Sequence, residues 1–130
     1  METTHPNIEV LQKFDPTNIA SAVNILAEDA IFHYINPNLP HLEGDYVGLK
    51  GFQTFFKTIG AISKGTFKVN PITAYPIGEE LVVVHSRNDI VLEDKQMEVD
   101  VVVVWRIVDG KIREVWDIPS THHVNIRPVV

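Results

Sequence analysis

The second half of the chain changes from helical spacing to long apolar runs of strand character, and this change restricts the fold more than any other feature. Four such runs follow one another, Thr66 to Tyr75, Glu80 to Leu92, Gln96 to Val108 and Lys111 to Ile118. The segments Glu93-Asp94-Lys95 and Val108-Asp109-Gly110 between the last three runs are typical of hairpin loops. The pattern therefore predicts a meander of antiparallel strands.

Helical spacing dominates the first half. A first helix is predicted from Ile8, Leu11 and Phe14, and Asp15-Pro16 is typical of the start of a second. The apolar stripe of that second helix is Ile19, Val23, Leu26 and Ala30. A third helix is the clearest, with the stripe Leu49, Phe52, Phe56, Ile59 and Ile62 and a C-terminal glycine, Gly65.

The connecting segments complete the fold prediction. A short extended stretch is predicted over 30–35, followed by a loop over 36–48 that is rich in proline and glycine. Pro71 marks an edge, a bulge or a break in its strand, because proline cannot donate a ladder hydrogen bond. The order predicts an α+β fold, a single domain over residues 1–130 with helices on one face of a strongly curved sheet.

Composition narrows the function classes. The chain has 130 residues, a net charge of −6 and no cysteine. The acidic balance and the scattered basic residues argue against a nucleic-acid partner, and the absence of cysteine excludes disulfides and thiolate metal sites. The six histidines form no metal-binding spacing, so neither a metal nor another cofactor is expected. With no secretory signal and no apolar run of about 18 residues, we expect a cytoplasmic protein and no membrane partner.

Three charged residues interrupt strands that are otherwise rich in valine. Arg87 and Asp89 are two residues apart in one run, and Asp117 closes the last run. Residues two apart on a strand share a face, so Arg87 and Asp89 point the same way, together with His85. Charges that face an enclosed pocket cost several kcal/mol each unless they pair, and groups retained in such places often do chemistry.

The lengths of the two hairpin loops decide whether the three charges meet. Three-residue loops at both hairpins, which we favour, place Arg87 and Asp117 opposite Val101 and Asp89 opposite Val99. Two-residue loops at both hairpins also keep the charges on one face, but with Asp100 opposite Arg87. One loop of each kind separates Asp117 from Arg87. In the favoured register the other face suits a homodimer contact, and it carries Ser86, Asn88, Asp100, Val102, Val104 and Trp116.

Nearly the whole chain resembles the superfamily of nuclear transport factor 2-like cone-shaped domains, in particular its SnoaL-like and limonene-epoxide-hydrolase branches. The resemblance rests on residues 26–30, on 44–48 before the third helix, on 105–112 and on 115–117. It implies a cone in which a curved antiparallel or mixed sheet carries about three N-terminal helices on its concave face. It leaves the function open, because the superfamily holds isomerases, dehydratases, cyclases, hydrolases and adaptors.

The resemblance also implies roles for individual residues. By similarity to the epoxide hydrolase, Asp117 is the general base, Asp89 the acid and Arg87 the bridge between them. Phe32 and Tyr34 stand where that enzyme positions its water with a Tyr and an Asn. By similarity to the cyclase branch, which uses a His and an Asp, His85 is a further catalytic candidate.

The ligand expected in the cone is a small apolar molecule. The residues predicted to line its pocket are Phe32, Tyr34, Phe56, Val99, Val101, Val103 and Val115. Three functions remain open at this point: cofactor-independent acid/base catalysis of hydrolase, isomerase or cyclase type, binding of a ligand without catalysis, and an interaction module.

Overall fold

A computed structural model describes residues 5–128, so residues 1–4 and 129–130 of the predicted domain lie outside it. Two α-helices precede most of the strands, α1 (Pro6–Gln12) and α2 (Gly48–Ile62), and a 3-10 helix (Ile19–Ala22) lies between them. The strands are β1 (Leu26–Tyr34), β2 (Gly44–Val47), β3 (Pro71–Ile77), β4 (Leu81–Leu92), β5 (Lys95–Val108), β6 (Lys111–Pro119) and β7 (Asn125–Pro128). The α+β class is confirmed. Within residues 5–128 no helix is both long and apolar enough to cross a bilayer.

The strands form one mixed sheet in the order β2-β1-β6-β5-β4-β3, and β7 pairs with β5 beyond the end of β6. β1 and β6 run parallel, whereas the other neighbouring pairs are antiparallel. Helix α2 packs on the sheet through its buried residues Phe52, Phe55 and Ile59. We call the sheet face that α2 covers the inner face and the opposite one the outer face.

The second predicted helix is wrong in extent. Only the turn Ile19–Ala22 is helical, and the chain is already extended from Leu26 onward. The Asp15 carboxylate accepts hydrogen bonds from the backbone and the hydroxyl of Thr17, which closes a local turn where the helix was expected to begin. Leu26 then pairs with Ile112 of β6, so a contact distant in sequence overrides the helical spacing of the stripe.

The third predicted helix and the strand meander are confirmed, except that the first strand of the meander, β3, begins at Pro71 and not at Thr66. α2 is followed by Gly65 in the left-handed conformation at φ +78, as its position predicted. Pro71 begins β3, the last strand in the sheet order, and the register shifts between Pro71 and Thr73. This agrees with the expectation that the proline lies at an edge or a bulge.

Both predicted hairpin loops are one residue too long. Leu92 pairs with Lys95 and Val108 with Lys111, which leaves two-residue turns of Glu93-Asp94 and Asp109-Gly110. All four turn residues have positive φ, between 50 and 75. That conformation matches the right-handed twist of the flanking strands, so the tighter turn replaces the three-residue loop.

A β-bulge in β6 then changes the expected faces again. Ile107 pairs with Ile112, but the next residue of β5, Arg106, pairs with Glu114, so Arg113 has no partner of its own. Beyond this bulge Asp117 lies opposite Val103. In β4 and β5, which pair without interruption here, Arg87 lies opposite Asp100 and not opposite Val101. The bulge therefore separates residues that two regular two-residue hairpins would have kept on one face.

Candidate functional site

Two cavities lie against the inner face. The aromatic cavity, of about 440 Å³, is lined by Phe14, Phe32, Phe56, Phe67 and Trp105, among others. The tail cavity, of about 530 Å³, is lined by Tyr34, Asn36, Phe55 and Val101 and by two residues of the C-terminal tail, Val124 and Ile126. Asp117, Asn88 and Phe67 line both cavities, so these three residues lie where the cavities adjoin.

Asp117 is the ionisable residue at this boundary. It follows the buried residue Val115 by two positions on β6, and it is flanked by Tyr34 of β1 and Val103 of β5. Among residues 5–128 its carboxylate has no hydrogen-bond or ion-pair partner. Burial without such a partner disfavours the charged form and raises the pKa of Asp117 to about 7.

The neighbouring polar groups are mostly paired with one another. The Tyr34 hydroxyl accepts a hydrogen bond of 2.9 Å from the Asn36 amide, and the Ser86 hydroxyl donates to Asn88 Oδ1 at 2.5 Å. Tyr34, Asn36, Ser86 and Asn88 are all buried. Burial raises the pKa of Tyr34 to about 12, although the Asn36 hydrogen bond opposes this rise. The phenol is therefore neutral wherever Asp117 titrates.

The predicted convergence of three charges is wrong. Arg87 lies on the outer face, where its Nε donates to Asp100 Oδ1 at 3.1 Å. His85 Nε2 lies 2.8 Å from the same oxygen, and hydrogen bonds from His85 and Arg87 hold the pKa of Asp100 below its usual value. Asp89 also faces outward, where its Oδ2 accepts a hydrogen bond of 3.0 Å from Asn70. The structure therefore brings none of these three predicted catalytic residues to Asp117.

Six of the seven predicted ligand-binding residues lie on the inner face and Phe56 lies on α2, which covers that face, but the set divides between the two cavities. Phe32, Phe56 and Val103 line the aromatic cavity, and Tyr34, Val99 and Val101 line the tail cavity. Val115 is fully buried beside them and lines neither cavity. Their contact with a ligand remains a prediction.

Two polar residues of the inner face were predicted on the wrong side. Ser86 and Asn88 were expected on the outer face with Asp100, yet both are buried and line the aromatic cavity. The error follows from the one-residue difference in length of the β4–β5 turn, which places every residue of β4 on the other face relative to β5. No strong sequence signal marks this turn, because Glu93 adopts positive φ there although residues of its type rarely do.

The raised pKa of Asp117 determines what its carboxyl can do chemically. A carboxyl group with a pKa near 7 is about half ionised at neutral pH, so it can accept a proton and return it. Within residues 5–128 no cluster of three His, Asp or Glu side chains is arranged to hold a metal ion. The cavities offer a ligand aromatic surface, the carboxyl of Asp117 and the neutral polar groups of Tyr34, Asn36 and Asn88, and the tail cavity is also lined by the charged residues Glu93 and Lys95.

Comparison with known proteins agrees with this architecture. A family model described as a SnoaL-like domain matches residues 8–115. Bal32a from a soil-derived mobile gene cassette is 19% identical, with a TM-score of 0.77 over 88% of each chain. TerC, co-crystallised with polyporic acid, is 22% identical, with a TM-score of 0.76 over 88% of this chain and 92% of its own.

A third neighbour is named as a putative enzyme. A putative polyketide cyclase from Sinorhizobium meliloti is 11% identical, with a TM-score of 0.67 over 84% of this chain and 93% of its own. At these identities the structural neighbours establish the fold alone. No curated protein matches the chain.

Proposed function

We propose that this chain, which belongs to the SnoaL-like domain family of the nuclear transport factor 2-like superfamily, is a cofactor-independent enzyme in which Asp117 moves a proton on a small apolar molecule. The observation that carries the proposal is the carboxyl of Asp117, which has no partner among residues 5–128 and lies at the boundary of two cavities, with a pKa raised to about 7 by burial. Perturbed ionisable groups in clefts are a mark of functional sites.

The arrangement favours an isomerase or cyclase type of reaction over epoxide hydrolysis. Opening an epoxide by general acid and general base requires two groups at the substrate, and the predicted acid, Asp89, faces the opposite side of the sheet. A single carboxylate suffices to remove a proton from a carbon next to a carbonyl and to return it at another position. Tyr34, whose hydroxyl stays protonated, is the candidate hydrogen-bond donor to the carbonyl oxygen.

The aromatic cavity indicates the kind of ligand. Phe14, Phe32, Phe56 and Trp105 line it, and they pack edge-on in the pairs Phe14–Trp105 and Phe32–Phe56. Aromatic linings favour flat, unsaturated molecules. TerC, a structural neighbour with the same fold, was co-crystallised with polyporic acid, which supports a small organic molecule as the occupant of the cavity. We therefore propose an aromatic or polycyclic ketone as the substrate class.

The test measures proton exchange on a panel of cyclic enones and aromatic β-diketones in deuterated water by NMR. The expected result is accelerated exchange at the carbon next to a carbonyl, with a rate that rises with pH and levels off above about 7, because the base must be ionised. Asp117→Asn is expected to lower this rate by about 10²-fold to 10⁴-fold. Asp89→Asn is the matched control, because it removes a carboxylate from the outer face.

Two outcomes of this test contradict the enzyme proposal. Exchange that persists unchanged in Asp117→Asn removes Asp117 from the mechanism. Tight binding of the panel compounds with no exchange in any of them favours the alternative, a domain that binds a ligand without catalysis. Isothermal titration of the same compounds separates these two results.

We also propose that the outer face joins two copies of the chain. Val102 and Ile118 are register partners there, and they remain 42% and 43% exposed. Charged groups border this apolar pair, the cluster of His85, Arg87 and Asp100 among them. A mixture of exposed apolar surface and paired charges is typical of an association surface.

The homodimer is tested by analytical ultracentrifugation of Val102→Glu. A change from dimer to monomer is expected, because the new carboxylate would be buried without a partner at the contact. Val23→Glu is the control, because Val23 is 56% exposed and lies outside the sheet. A wild-type protein that is monomeric at high micromolar concentration would refute this contact.

A further inference from the structure

A second feature of the molecule is a groove on the outside of α2 that is lined with lysine. Lys50 and Lys57 lie two turns apart on the helix, and Lys68 lies on the segment that follows it. The polar side chains between them belong to Thr17, Gln53, Thr54 and Asn70. We call this surface the lysine groove.

The charge of the groove is opposite to that of the chain. The net charge of the chain is −6, with 17 acidic residues, yet no Asp or Glu among residues 5–128 lines the groove. Within residues 5–128 none of the three lysines forms an ion pair. Three cations that line one groove repel one another, and an anion in the groove would relieve that repulsion. The carboxylates of Asp15 and Asp89 lie at its border, where they accept hydrogen bonds from the groove residues Thr17 and Asn70.

The lysine groove adjoins the aromatic cavity. Pro16, Phe56, Phe67 and Val69 line both of them, so these side chains form the shared boundary. Asp117 lines the aromatic cavity and is absent from the lining of the groove. A molecule that reaches from the groove into the cavity thus meets cationic groups first, then aromatic surface, and then the carboxyl of Asp117.

We propose that the lysine groove binds an anionic group of the same molecule whose apolar body occupies the aromatic cavity. This inference rests on the proposed function and adds to it the substrate class, an aromatic or polycyclic molecule with a carboxylate, sulfonate or phosphate at one end. The ionised carboxyl of Asp117 repels an anion, whereas the lysines attract one. The charges therefore orient the ligand with its neutral, reacting end at Asp117.

The test uses two fluorescent probes with the same aromatic body. 1-Anilinonaphthalene-8-sulfonate carries a sulfonate, and N-phenyl-1-naphthylamine is its neutral counterpart. We expect the unsubstituted protein to bind the sulfonate probe about fivefold more tightly than the neutral one, which is the effect of two or three partly solvated charge contacts. Added salt should reduce this preference, because exposed charges are screened.

The double variant Lys50→Met/Lys57→Met should remove the preference for the sulfonate and leave the affinity for the neutral probe unchanged. Methionine retains the apolar stem and the helix propensity of lysine, and thermal melting checks the fold of the variant. The matched control is Lys111→Met/Arg113→Met, which also removes two positive charges, but from β6 and outside the groove. The control should keep the preference.

The outcomes separate this inference from the proposed function. If the unsubstituted protein binds the neutral probe but shows no preference for the sulfonate, the inference about the lysine groove fails. The proposal that the aromatic cavity binds an apolar ligand is then still supported. The inference also fails if the β6 control loses as much preference as the groove variant, because the effect is then one of net charge. If neither probe binds, the ligand cavity of the proposed function is refuted, and the inference falls with it.

Discussion

Tyr34 and Asp117 are register partners on the parallel strands β1 and β6, and both side chains line the tail cavity. The pKa of Tyr34 is raised to about 12, mainly by burial and also by the charge of Asp117. That of Asp117 is raised to about 7 by burial. The site therefore places a carboxyl group that titrates near neutrality beside a phenol that stays protonated. This arrangement suits an acid/base group and a fixed hydrogen-bond donor.

We expect Asp117→Asn to be more stable than the unsubstituted protein at about pH 8. The pKa of Asp117 is about 7 in the folded state and about 3.8 for an unperturbed aspartate, so between these values the folded state holds a proton that the unfolded chain releases. The resulting loss of stability develops as the pH rises from about 4 to 7 and is at most about 4 kcal/mol. Asparagine does not ionise and avoids this loss.

Urea unfolding at about pH 4.5 and about pH 8 measures this difference. From the lower to the higher pH, the free energy of unfolding of Asp117→Asn should rise relative to that of the unsubstituted protein. The free energy of unfolding of Asp29→Asn, which changes an exposed position of β1, should not. An equal difference at both pH values would mean that Asp117 ionises normally in the folded state.

Arg87→Met should leave ligand affinity nearly unchanged, within about twofold. The guanidinium lies on the outer face against Asp100, on the side opposite to both cavities. Exposed ion pairs of this kind contribute little to stability, typically less than about 1 kcal/mol. The measurement is binding of the neutral naphthylamine probe and thermal melting of the variant. A tenfold loss of affinity would mean that Arg87 reaches the ligand after all.

His33 should titrate above its ordinary value, and Glu114→Gln should lower its pKa. Burial lowers the pKa of His33, but hydrogen bonds with Glu114 at 2.6 Å and Asp45 at 2.7 Å outweigh that effect. Because the folded pKa is raised, this stabilisation is complete below the unfolded pKa of about 6.5 and is lost as the pH rises through the folded value. An NMR titration of the imidazole proton checks both expectations. An unchanged midpoint in Glu114→Gln would contradict the ion pair.

Two glycines of α2 should respond to alanine in opposite ways. A Cβ on Gly51 would lie 2.7 Å from the backbone carbon of Tyr46, so Gly51→Ala must move α2 away from β2. We expect a loss of about 1–3 kcal/mol. A Cβ on Gly60 meets nothing within 4 Å, so Gly60→Ala should gain about 0.5–1 kcal/mol from helix propensity. Urea unfolding of the pair checks the contrast, and similar effects from both would refute the close approach at Gly51.

The parts of the fold that local pattern determines were predictable. α2 follows from its apolar stripe and its terminal glycine, and β4, β5 and β6 follow from apolar runs separated by turn residues. The segment from Ile19 to Ala30 was not predictable in this way, because its apolar spacing also fits a helix. The pairing of Leu26 with Ile112, which is distant in the sequence, makes the end of this segment a strand and not a helix.

The site was only partly predictable for a similar reason. Asp117 faces a cavity, as the favoured register required, whereas Arg87 and Asp89 face away from it. The side that a residue takes depends on counting positions along paired strands, and one uncounted residue inverts the result. The sequence allows two-residue turns at both hairpins, but nothing in the composition of β6 indicates the bulge at Arg113.

That bulge also determines how relatives of this chain should be compared with it. Counted from Gly110, Asp117 is the seventh residue, and it faces inward because β6 has one residue more than a regular hairpin. A relative with the same two-residue turn and no bulge presents its sixth residue to the cavity instead. An acid one position earlier in such a relative is the functional counterpart of Asp117, and an alignment without a gap would miss it.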